Sequence, residues 1–183
     1  MRTIILVIYL FVLMSFDLNE PPQSKLEIKN LKSTSGKEYC INSLIPGEYQ
    51  YMDRSYQFNY IPEEINGLTH IKTCGNDKLI SEKDVCLSFD VNCVVDVYIL
   101  FGDKFPIIPE WLKQFERMRL NVTRQDSKID NLKGYFSLYR KTFPKGTVTL
   151  YGCSPVEMLE KELYVKSMGA NYCMYTIAIK RKD

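Results

Sequence analysis

Alternation of apolar and polar residues is the strongest signal along this chain. In residues 85–91, VCLSFDV, the side chains of Val85, Leu87, Phe89 and Val91 fall on one face, the period of two expected of a strand with one side buried. Residues 94–100, VVDVYIL, put Val95, Val97 and Ile99 inward and Asp96 and Tyr98 on the opposite face. Comparable runs recur at 25–31, 38–44, 49–52, 55–61, 69–74, 135–143, 147–153 and 172–180, broken by turn formers such as Pro46-Gly47, Gly102-Asp103-Lys104 and Pro144-Lys145-Gly146. Many short strands at this spacing predict an all-β chain, a two-sheet antiparallel β-sandwich of jelly-roll type. Helical patterning is confined to residues 109–118, opening on Pro109-Glu110, and residues 154–163, opening on Ser154-Pro155. Each predicts roughly one to three turns.

Composition supports this picture and narrows the function classes. The 13 tyrosines and 9 phenylalanines suit a pleated, half-buried surface, and 45% hydrophobic residues are too many for a disordered chain. Lys and Arg number 24 against 22 acids, a net charge of +2, with no long basic run, so a nucleic-acid partner is not expected. The tail Lys180-Arg181-Lys182 reads as a solvated terminus.

The first residues bear on compartment. Arg2 precedes an apolar run over residues 4–14, short of the ~20 residues that cross a bilayer. This is the pattern of a secretory signal peptide, assigned approximately to residues 1–16, with cleavage between Ser15 and Glu20. Residues 17–24 form a polar, proline-containing leader, and residues 25–183 a single sandwich domain. No membrane span is expected, and the protein is read as secreted and extracellular. Six cysteines, Cys40, Cys74, Cys86, Cys93, Cys153 and Cys173, then predict disulfide reinforcement. Spacing does not fix their connectivity; Cys153 with Cys173 and Cys74 with Cys86 are the pairings preferred. With no C-x-x-C pair and one histidine, a zinc site is not expected. The sequon Asn121-Val122-Thr123 makes Asn121 a candidate glycosylation site.

Candidate chemistry centres on two regions. The stretch around Tyr51, Asp53, Arg54 and Asp77 has two readings. Arg54 and the carboxylates clamp hydroxyl groups of a ligand, or Arg54 pairs internally with Asp53 or Asp77. The same carboxylates, with loop carbonyls, are also candidates for a structural calcium; no other cofactor is expected. Trp111, the one tryptophan, either offers a flat apolar wall to a sugar ring or plugs one end of the core. Tyr98 and its neighbours Tyr49, Tyr51, Tyr56 and Tyr60 either form an aromatic contact surface or pair across strands. His70 is expected as an exposed strand residue. It has no nucleophile motif beside it, and no carboxylate pair is singled out for glycoside hydrolysis, so an enzyme is not expected.

Five segments occur in a particular order: YMDRSYQFNYIPEEINGLTHIKTCGNDK, LSFDVNCVVDVYILFGDK, PEWLKQFERM, YFSLYRKTFPKGTVTLYG and NYCMYTIAI. Together they cover about residues 49–179. The series resembles a family of secreted β-sandwich modules, non-catalytic domains appended to extracellular bacterial polysaccharide-degrading proteins. The resemblance implies a galactose-binding-like or jelly-roll sandwich associated with carbohydrate. The expected function is therefore a non-catalytic module binding an extracellular glycan or glycoprotein. The alternatives are a structural or interaction protein with protein partners and, less favoured, a secreted hydrolase.

Overall fold

The structure, a computed structural model, describes residues 25–127, 132–161 and 172–182. The signal-peptide and leader assignments lie outside the described residues, as do the last two residues of the helix expected over 154–163. Among the described residues, ten strands form two antiparallel sheets. The smaller has the order β1 (Ile28–Ser33), β5 (Val85–Val91), β9 (Gly146–Tyr151). The larger runs β2 (Cys40–Ser43), β4 (Thr69–Lys72), β10 (Thr176–Arg181), β6 (Val95–Gly102), β8 (Leu132–Phe143), β7 (Glu116–Ser127), β3 (Gln57–Tyr60). No described helix is long and apolar enough to cross a membrane.

The seven-stranded sheet curls. Residues 49–51 belong to no strand but bridge two: Tyr49 faces Gln57 of β3, and Tyr51 faces Thr73 just past β4. Gln50 N–H donates to Tyr56 O at 2.9 Å and Met52 N–H to Thr73 O at 2.9 Å. These bonds draw the β3 side of the sheet towards its β4 side, and the concave face is thereby covered. This explains why all of β6 is buried: one face carries Val95, Val97 and Ile99, while the other carries Asp96 and Tyr98 beneath the curl. The expectation that Asp96 and Tyr98 face outward is corrected accordingly. Asp96 is satisfied by the Thr142 hydroxyl at 2.5 Å.

Two further expectations change. The helix expected over 109–118 is a short 3-10 helix, η3 (Glu110–Gln114). The chain turns extended at Phe115 because Glu116 and Arg117 already pair with Arg140 and Tyr139 of β8. The second helical stretch forms α1 (Val156–Glu160) after Pro155. The disulfide reinforcement is not seen. Cys40, Cys74, Cys86, Cys93, Cys153 and Cys173 are all free thiols, so neither preferred pairing forms. The buried sulfurs have other neighbours: Cys74 lies 3.8 Å from Glu38 O, Cys86 3.8 Å from the Tyr39 hydroxyl and Cys153 3.3 Å from Lys78 O. Burial holds the Cys86 thiol up at about 11 and raises Cys153 well above its ordinary value.

Candidate functional site

Strand registers bring the functional candidates to one end of the sandwich. Thr73, residues 101–102 and residues 174–176 lie at the same level of the curled sheet. The loops beyond them carry three hollows.

The first is built by the front stretch and measures about 420 Å³, lined by Tyr49, Tyr51, Met52, Asp53, Arg54, Ser55 and Lys72. Its walls are largely committed to holding the fold. Asp53 accepts the Gly75 N–H at 2.6 Å and the Asn76 N–H at 3.1 Å, capping the 3-10 helix η2 (Gly75–Leu79). Arg54 lies 3.4 Å from Asp53, donates to Asp53 O at 2.6 Å and reaches the Asn76 side chain, yet its side chain stays 40% exposed. The Tyr51 hydroxyl is buried, donating to Met174 O at 2.6 Å and accepting from Arg124 at 3.3 Å. Arg124 itself is fully buried in a cage of Tyr51, Tyr56 and Phe136 rings. Asp77 does not meet Arg54. It is 2% exposed and accepts from Ser35 at 2.8 Å, from Tyr39 at 2.6 Å and from Lys37. Asp53 and Asp77 are thus engaged by separate sets of protein donors, and the described residues hold no cluster of three or more His, Cys, Asp or Glu side chains for a metal. Tyr98 is buried under the curl and lines none of the three hollows.

The second hollow surrounds Trp111 and is larger, about 560 Å³ and open to solvent, with Tyr151, Glu82, Lys83, Glu110, Lys113 and Gln114 around it. Trp111 is half-buried. Its indole N–H donates to Gly152 O at 2.8 Å, and its inner edges meet Phe115 and Tyr175 at centroid distances of 5.6 and 5.5 Å. The ring packs against the core on one side and lines the hollow on the other. Glu82 fixes the frame, accepting the Glu110 N–H at 2.7 Å through one oxygen and the Val156 N–H at 3.1 Å through the other. It thereby ties the first turns of η3 and α1 together. Gly152 must be glycine, because a Cβ there would stand 2.2 Å from Ile80 O and 2.3 Å from Ser81 O.

The third hollow is smaller, about 260 Å³, and more enclosed, beneath the loop that follows β6. Phe101, Phe105, Ile108 and Tyr139 form its apolar wall, and Asp103, Ser137 and Arg117 its polar one. Ser137 donates its hydroxyl to Asp103 Oδ1 at 2.7 Å and accepts from Arg117 Nη2 at 3.2 Å. Sequence reading missed this group. Gly102-Asp103-Lys104 reads as a turn, which it is, and only Ser137, a polar residue inside the run YFSLY, hints at more.

No family model matches the chain, and no curated protein matches it significantly in sequence. Its fold is shared with domains of glycoside hydrolases. A solved beta-glucuronidase from glycoside hydrolase family 2 superposes on 85% of this chain with a TM-score of 0.65 and 19% identity. A GH138 enzyme targeting pectin rhamnogalacturonan II superposes on 86% of it with a TM-score of 0.54 and 13% identity. This chain spans only 15% and 17% of those two proteins. At such identities the likeness is one of fold: a β-sandwich of a kind found within carbohydrate-active enzymes.

Asn121, the sequon residue, is exposed on β7. His70 is the opposite of its expectation. It is fully buried on β4, edge-on to Phe58 at 5.5 Å, with no hydrogen-bond partner for either ring nitrogen, and burial holds its pKa at about 3. A histidine neutral at working pH and sealed from solvent offers no general base here.

Proposed function

We propose that the protein is a secreted, non-catalytic module that binds an extracellular glycan, free or on a glycoprotein, along the Trp111 trough. The observation that carries this reading is the anchored indole. With its N–H spent on Gly152 O and its inner edges packed, Trp111 is a rigid apolar plate on the floor of an open hollow. Tyr151, 37% exposed, adds a second ring. Around them Lys83, Gln114 and the Glu110–Lys113 ion pair supply donors and acceptors for hydroxyl groups. Apolar plates edged by a few polar groups are how small sugar units are held, and an open trough accommodates a run of units rather than one. The fold shared with glycoside hydrolase domains supports a carbohydrate-associated role.

Display of the purified protein on an array of extracellular glycans tests this. Binding to at least one class is expected, with loss of about tenfold or more in Trp111→Ala, the scale set by removing a buried aromatic anchor at a binding hot spot. Absence of binding above background, or equal binding by Trp111→Ala, contradicts it. A second reading, a protein-interaction module, draws on the exposed apolar residues Ile41, Ile45, Tyr49, Met52 and Tyr60; it predicts co-purifying chains or self-association on sizing.

A further inference from the structure

We propose that the enclosed hollow beneath the β6–η3 loop is a second, separate binding site, built for one neutral pyranose ring with vicinal hydroxyls. Its volume, about 260 Å³, falls just below the ~300–1,000 Å³ typical of drug-sized ligand sites. It holds a single ring and not a chain, which sets it apart from the open trough. The two walls have complementary chemistry. On one side Phe101 and Phe105 meet at 4.6 Å with their rings tilted by 39°, and Phe101 meets Tyr139 edge-on at 6.5 Å, giving an aromatic wall for the C–H groups of a sugar.

On the other side Ser137, 4% exposed, sets the geometry of two charged groups at once. It donates to Asp103 Oδ1 and accepts from Arg117 Nη2, while Asp103 is also fixed through its own backbone, whose N–H donates to Tyr135 O at 2.9 Å. One hydroxyl cannot exhaust either charged partner. Asp103 Oδ2 remains an acceptor, and the guanidinium, with five donors in a planar fork, retains others. An acceptor and a donor held side by side, each already oriented, match two adjacent hydroxyls, one donating to the carboxylate and its neighbour accepting from the guanidinium. The carboxylate makes the choice of ligand. It repels an acidic sugar that Arg117 alone would favour, so the site selects a neutral ring.

The test is calorimetric titration of the whole protein with neutral methyl pyranosides of differing hydroxyl stereochemistry and, in parallel, with methyl glucuronate glycoside. Saturable binding of at least one neutral pyranoside is expected, in preference to the glucuronate. Asp103→Asn, which replaces an acceptor by a donor and keeps the shape, is expected to weaken it roughly ten- to a hundredfold, the range for a hydrogen bond to a charged group. Arg117→Met is expected to do likewise. Melting curves of both variants establish that they are folded. No saturable binding of any neutral pyranoside, preference for the glucuronate, or unchanged affinity in folded Asp103→Asn overturns the proposal. Because the readout is heat and the ligands are single rings, failure here leaves the Trp111 trough standing, and loss of polysaccharide binding at the trough leaves this site standing.

Discussion

His70 shows how far a residue's environment departs from its place in a pattern. As one member of an alternating strand, it is expected on the solvent face. The face it shares with Lys72 is nevertheless covered by the returning segment 44–50, where Glu48 pairs with Lys72, and by Phe58 of β3. Burial and, secondarily, the Lys72 ammonium lower its pKa to about 3. The consequence for stability follows from linkage. Above about pH 6.5 both folded and unfolded chains carry neutral histidine, and this group contributes no slope. Below that value the unfolded chain takes up a proton that the folded chain refuses. Stability from this residue is then lost at a rate approaching about 1.4 kcal/mol per pH unit until the folded pKa near 3 is reached. Denaturant midpoints measured from pH 7 to pH 4 are expected to fall steeply in the wild type and less steeply in His70→Leu; parallel curves for the two would show that His70 is not buried neutral. The front-stretch residues teach a related lesson. Asp53, Arg54 and Asp77 are chemically what a ligand clamp needs, and nothing in their order along the chain reveals that Lys37, Tyr39 and Ser35, about forty residues upstream of Asp77, already occupy it.

Among elements, the strands with clean alternation were the legible ones. β5 matches the residues its pattern marks, and β6, β9 and β10 differ from theirs by a few residues at the ends. β7, twelve residues long, went unread because its inward positions are not all apolar. Val122 and Arg124 are both fully buried, and the arginine, caged by aromatic rings, occupies a core position that a hydrophobic pattern assigns to solvent. The residues before it, 109–118, show helical spacing, but a single turn is too short to hold against pairing with β8. The element that matters most for the proposed function is the junction of η3 with the end of β9. There Trp111 hangs from Gly152, whose own N–H donates to Asp84 O at 2.9 Å. Since a Cβ on Gly152 would collide with two backbone carbonyls, Gly152→Ala is expected to cost about 1–3 kcal/mol by overpacking. It is also expected to shift the tryptophan emission by loosening the indole's anchor. A melting temperature and emission spectrum equal to wild type would refute the tight approach of these two segments.

The described residues form a two-sheet sandwich in which one sheet curls until residues 49–51 tie its last strand, β3, to the end of β4, one strand in from the opposite edge. The sandwich was readable from strand number and spacing, whereas the curl was not, because it depends on backbone bonds from a segment that forms no strand of its own. The cysteines likewise suggested covalent reinforcement, yet the thiols are taken up singly into the packed core and its edges. What the fold achieves is to gather loops from both sheets at one end, and there the open trough and the enclosed hollow lie. The central claim, that the trough binds glycan through Trp111, has a built-in reporter, since the chain contains one tryptophan and its emission comes from the site alone. Titration of the native protein with soluble extracellular polysaccharides, followed by tryptophan fluorescence, is predicted to give a saturable change for at least one of them, absent with non-binding polymers. Flat emission across every polysaccharide tested, or glycan binding detected by other means while the emission stays unchanged, would contradict the account.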